Sequence, residues 1–168
     1  LLNGQADLAL GVPTDLAPSS GLSLQEMGSV DFVFAVAPHH PLASAKEPLD
    51  SEEIKRHRAV AAADSSQRGR GVTVNLLPGQ DVLTVATMQH KLEAQLRGLG
   101  CGWLPLPLAR PYLDAGRLVA KPVSQPRRNI RVGYVWRAGS GEGRALAWWL
   151  AQVEQPRTRL ALLENHHQ

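Results

Sequence analysis

One cysteine, Cys101, is all the sulfur available for cross-linking, so no disulfide can close within the chain and a reduced compartment, the cytoplasm, is the expected setting. No apolar run approaches the roughly 18 residues that a membrane span needs, so no membrane partner is expected. Neither sign of charge dominates: 18 basic side chains face 15 acidic ones, and they are scattered instead of forming the stripe that duplex DNA requires. Aromatics are sparse, at 5%, and six of the eight (Trp103, Tyr112, Tyr134, Trp136, Trp148 and Trp149) lie beyond residue 100. That weighting reads as core and not as a base-stacking platform.

Catalytic signatures are also missing. The sequence carries no Gly-x-Ser-x-Gly elbow, phosphate-binding loop, dinucleotide fingerprint or paired acid and base, so an enzyme of the small α/β kind is not expected, and neither is a cofactor. His39 and His40 are adjacent, and adjacent side chains on extended backbone point apart, which argues against a metal pair. No repeat, low-complexity tract or charged-then-apolar leader is found. With Leu1 in place of a methionine, the chain is expected to be an excerpt of a longer polypeptide.

What is present is a chain of 168 residues with 43% apolar and 20% charged side chains, enough for one domain or two small lobes. Its clearest stretch runs from Thr87 to Pro105. Met88, Leu92, Leu96 and Leu99 recur at spacings of four, four and three, which predicts an amphipathic helix with Lys91, Glu93, Gln95 and Arg97 on its other faces. Thr87 can cap its start and Gly98 can close it, while Gly100 to Leu104 reads as a buried strand stopped by Pro105.

Around this unit, strands are expected at Asp7–Gly11, Leu22–Met27 (a short edge), Val30–Val36, Arg58–Ala63, Asp81–Ala86, Arg117–Pro122 and Ile130–Arg137. Asp50 or Ser51 caps a short helix through Arg56, and a second helix starts near Leu108 because Pro111 lacks the amide a helix interior needs. A last helix carries Leu146, Trp149, Leu150 and Val153 at helical spacing, and Trp148 and Trp149 cannot share its inner face. Alternating strands and helices predict an α/β fold with mostly parallel sheets.

Four segments then resemble a known family: Asp7-Leu8-Ala9-Leu10, Pro38-His39-His40-Pro41-Leu42-Ala43, Gly98-Leu99-Gly100-Cys101-Gly102-Trp103-Leu104-Pro105 and Gly116-Arg117-Leu118. In this order and spacing they resemble the effector-binding domain of LysR-type bacterial transcription regulators. The resemblance implies a two-lobed, periplasmic-binding-protein-like type 2 fold, with residues 1–26 and 130–156 as the first lobe, 27–129 as the second and 157–168 as a tail. It also implies a small-molecule inducer in the cleft between the lobes, a homo-oligomer (dimer or tetramer in the full-length protein), and DNA contact only through a helix-turn-helix that nothing in this sequence resembles. The first strand and helix of the first lobe likewise have no counterpart, so that lobe is expected to be truncated.

Carried over by position, the resemblance assigns the inducer to Gly11 and Val12 on the first lobe and to Asp64, Ser65, Ser66, Thr87 and Met88 on the second. The chemistry is compatible, because hydroxyls and free helix amides bind carboxylates and other anions, whereas Asp64 suits an amine or a hydroxyl. Arg68 and Arg70 read as solvated, and Cys101, within a buried strand, as a packing residue and not a nucleophile. The alternative function is a free-standing solute-binding protein of the same fold.

Overall fold

In the computed structural model the described residues are 1, 4, 6–15, 21–63, 76–125, 128–137 and 143–164. The chain divides into two units: Leu1–Asp31 with Asn129–Gln168, and Phe32–Arg128. In the first, β1 (Leu8–Pro13) pairs antiparallel with β7 (Arg128–Arg137), its register shifting between Leu10 and Val12. Met27, Val132, Tyr134 and Val153 form its core, and Leu150, Leu162 and Leu163 pack on it from two helices, α4 (Arg144–Val153) and α5 (Pro156–Glu164).

β2 is a single strand from Leu22 to Val36, where a short edge strand and a separate buried one were expected. Gly28-Ser29 breaks the apolar pattern without breaking the hydrogen-bonded strand. The half beyond Asp31 belongs to the second unit and is covered on both faces: Phe34 and Val36 pack with Leu42, Leu49, Ile54 and Cys101, while Ala35 packs with Leu92, Leu104, Ala109 and Leu118. Trp103 meets Phe34 edge to face at 5.8 Å.

The second unit is completed by α1 (Ser51–Lys55), β3 (Ala59–Ala62), β4 (Val82–Val85), α2 (Met88–Leu96), β5 (Gly102–Pro105), α3 (Leu106–Asp114) and β6 (Val119–Ala120). The Asp50 carboxylate accepts the Glu53 amide at 2.8 Å and so starts α1 as expected. α3 begins at Leu106 directly after β5, two residues earlier than expected, and keeps Pro111 inside it. Pro107 occupies the first turn, where amides have no intrahelical acceptor, so the second proline costs the helix only one further bond.

The mixed α/β architecture agrees with expectation, but mostly parallel sheets do not describe it. β3 and β4 pair in parallel, yet β5 and β6 both run antiparallel to β2, as β7 does to β1. The physical reason is that an unbroken apolar run such as Phe32–Ala37 reports a strand covered on both faces. It carries no information about the direction of the neighbouring strand.

A buried ammonium holds the corner after β2. Lys121, only 6% exposed, places Nζ 2.6 Å from Glu47 Oε1 and donates to the carbonyls of Ala43 at 3.1 Å and Ala45 at 3.0 Å. Each of its three protons therefore has an acceptor. Replacing Lys121 by methionine keeps the stem's packing and strands the two carbonyls. Urea denaturation should show a loss of about 2 kcal/mol.

Candidate functional site

α2 packs on β3, β4 and β5, and its start is built as the sequence predicts. Thr87 is extended, its hydroxyl accepts the His90 amide at 3.1 Å, and Gly98 closes the helix with φ of 71°. Thr87 is exposed, with neighbouring first-turn amides that have no acceptor within the helix. Met88 is half-buried and packs with Leu92 and Leu104.

The other assigned residues lie elsewhere. Gly11 and Val12 belong to the first unit, inside β1 and not after it. Gly11 is exposed, and its φ of 75° makes the step in register opposite β7, a conformation that favours glycine. Asp64, Ser65, Ser66, Arg68 and Arg70 lie outside the described residues.

The buried face of α2 differs from the apolar stripe in the sequence. Leu92 is buried as expected, but Leu99 is half exposed, whereas Lys91 (9% exposed) and Gln95 (0%) face inward with Ala94. The reason lies in residues 100–102, where the chain enters β5. A methyl group on Gly100 would stand 2.5 Å from the Arg58 carbonyl oxygen, and one on Gly102 would stand 2.9 Å from Gln95 Nε2 and 3.5 Å from Lys91 Cε. Two bare α-carbons and the small Ala94 let the helix and β3 sit close, and the long polar side chains fill the gap. Glycines in a strand that faces a helix were the available signal.

Lys91 and Gln95 are one helical turn apart. Neither the Nε2 nor the Oε1 of Gln95 has a hydrogen-bond partner among the described residues, and no acceptor or carboxylate there engages the Lys91 ammonium. Burial pushes Lys91 down to about 8, with Cys101 opposing weakly. Cys101 is fully buried, its thiol donates to the Arg58 carbonyl at 3.4 Å, and burial pushes it up to about 11. It is a thiol at neutral pH and packs like an apolar residue.

The histidines serve local structure. His40 accepts the Leu42 amide at Nδ1 (3.2 Å), capping the turn Pro41–Ala43, and its ring centre lies 5.2 Å from that of His57. Burial, then His57 and His39, hold His40 below its ordinary value. His39 lies against the Arg97 carbonyl and Gly98 at the end of α2. Among the described residues no group of three His, Cys, Asp or Glu is placed to hold a metal, and no helix is long and apolar enough to cross a membrane.

Comparison with known proteins decides the family, because the LysR substrate binding domain matches residues 1–156. The chain belongs to that family. An uncharacterised helix-turn-helix regulator of Escherichia coli K12, YeeY, is 39% identical over 153 residues, covering 91% of this chain and 49% of YeeY. The transcriptional activator AllS of Klebsiella pneumoniae is 34% identical over 71% of this chain and 44% of its own length. The chain thus spans about half the length of the curated relatives it matches.

Solved LysR-family structures share the fold. The regulatory domain of MetR from Neisseria meningitidis matches with a TM-score of 0.70 at 19% identity, over 98% of this chain and 74% of that one. Full-length LysG from Corynebacterium glutamicum, solved with its effector Arg, matches with 0.65 at 20% identity, over 94% and 52%. The α/β, periplasmic-binding-protein-like type 2 fold expected for this LysR-family domain is therefore the observed one.

Burial of Lys91 has a measurable consequence. Because the folded chain favours the neutral amine, it binds fewer protons than the unfolded chain between about pH 8 and 10.5, and stability rises with pH across that window. Cys101 acts in the opposite sense from about pH 9 to 11, since its folded thiol holds a proton that the unfolded one releases. Between pH 8 and 9 the lysine dominates. Chemical denaturation should show up to about 1.4 kcal/mol gained over that unit in the wild type and a flat profile in Lys91→Met.

Proposed function

We propose that this domain is the effector-sensing part of a LysR-type regulator. It binds a small-molecule inducer through Gly11, Val12, Asp64, Ser65, Ser66, Thr87 and Met88, without turning it over. By favouring one conformation of the chain, the inducer sets the geometry of a cytoplasmic, DNA-bound homo-oligomer, whose DNA contacts lie in a helix-turn-helix outside this sequence. The observation that carries this reading is the family match across residues 1–156. Relatives that are helix-turn-helix regulators, and LysG holding Arg as effector, support it further.

The site chemistry is consistent with the proposal. A capped helix start with exposed first-turn amides offers donors to a carboxylate or another polar group, as Thr87 and α2 do. Ser65→Ala and Ser66→Ala in the full-length regulator should each weaken the inducer response by about 0.5–1.5 kcal/mol while leaving the melting temperature in place. A reporter dose-response beside a melting curve measures both. An unchanged response in the stable double variant would move the site to another loop.

A further inference from the structure

His40 stands where the chain leaves β2, and it is buried, at 7% exposed. Its Nδ1 accepts the Leu42 amide at 3.2 Å and its carbonyl accepts the Ala43 amide at 2.8 Å, so this one residue closes the turn Pro41–Ala43 from its side chain and its backbone together. An imidazole accepts in this way only while neutral, with its proton on Nε2; the imidazolium is a donor at both nitrogens. Protonation therefore sets one N–H against another across the contact. The far end of the turn is fastened differently, since Lys121 Nζ donates to the carbonyls of Ala43 and Ala45. One end is held by an ammonium, the other by a ring whose ordinary titration range lies close to neutrality.

We propose that His40 is a proton-operated latch on this turn: neutral, it closes the turn over Leu42; protonated, it releases the Leu42 amide and opens the turn at the β2 end while Lys121 holds the other. The device is separate from effector sensing and needs no ligand. Leu42 is fully buried against Phe34, Val36 and Leu49, so the latch bears directly on the core. A second imidazole stands beside the first, with the ring centres of His40 and His57 5.2 Å apart, and a proton on either opposes one on the other. The titratable and charged groups around His40 are His57, just past the end of α1, and His39 next to it; Glu53 on α1 is 3.8 Å from His57 Nε2, and the Lys121–Glu47 pair lies across the turn. Burial first, then His57 and His39, hold His40 below its ordinary 6.5, so the unfolded chain takes up its proton at higher pH than the folded one. Stability is lost as pH falls through that window, and the latch is closed at neutral pH.

NMR of this chain from about pH 7.5 to 5 tests the device. At neutral pH the His40 ring should carry its proton on Nε2, and the Leu42 amide resonance should titrate with the same midpoint as the ring. In urea the unfolding equilibrium constant should rise over this range by about threefold or more relative to His40→Asn, whose side-chain oxygen accepts the same amide and does not titrate. His57→Gln should move the His40 midpoint upwards. A proton on Nδ1, a Leu42 amide that ignores the ring's titration, or parallel stability profiles in the wild type and His40→Asn overturns the latch. The ring and amide titrations need no variant, and they decide the point even where His40→Asn fails to fold.

Discussion

The close approach of β3 to the start of β5 is the constraint on which the second unit depends. Val60 donates to the Cys101 carbonyl and Cys101 to that of Arg58, both at 2.9 Å, so Cys101 bridges in parallel to β3 before Gly102 to Pro105 turn antiparallel to β2. No side chain fits at Gly100 or Gly102 without meeting the Arg58 carbonyl or the Gln95 amide. Those two glycines let one strand join a parallel pair to an antiparallel one. α2 follows by covering the junction, and the buried state of Cys101 follows from being its first residue.

Much of this was legible. The Thr87 cap, the Gly98 closure, the Asp50 cap and the buried strand from Gly102 rest on local chemistry: a hydroxyl three residues before an amide, or a backbone angle that favours glycine. Such signals need only neighbours in sequence. Strand direction and the continuity of β2 needed partners distant in sequence, and an apolar run is silent about both. Trp148 and Trp149 show the same limit. Their spacing excluded a shared inner face, yet both are exposed, at 56% and 47%, and meet edge to face at 5.0 Å, because Leu150 and Val153 fill the inner positions.

The site assignment rests on resemblance, and the buried face of α2 beside it was partly missed by periodicity. Family order led to Gly11, Val12, Thr87 and Met88, and of these only the Thr87 cap, read from local chemistry, has its geometry given by the structure. Periodicity assigned Lys91 and Gln95 to solvent because polar residues usually belong there. What overrode it was the shape of the opposing surface: a strand entered through two glycines, Gly100 and Gly102, admits long stems where branched side chains would collide. A helix face therefore cannot be read from its own residues alone when its neighbour is bare backbone.

The contrast between the two buried lysines then bears on how a sensing domain is built. Lys121 is satisfied from within the chain, so its ammonium steadies the fold and responds to nothing outside it. Lys91 differs: burial lowers it to about 8, so the folded chain favours the neutral amine more than the unfolded chain does. Lys91 has no such set of acceptors among the described residues, and what sets it apart from Lys121 is its place: the face of α2 turned to β3 and to the bare backbone of Gly102, where a long stem fits and a branched one does not.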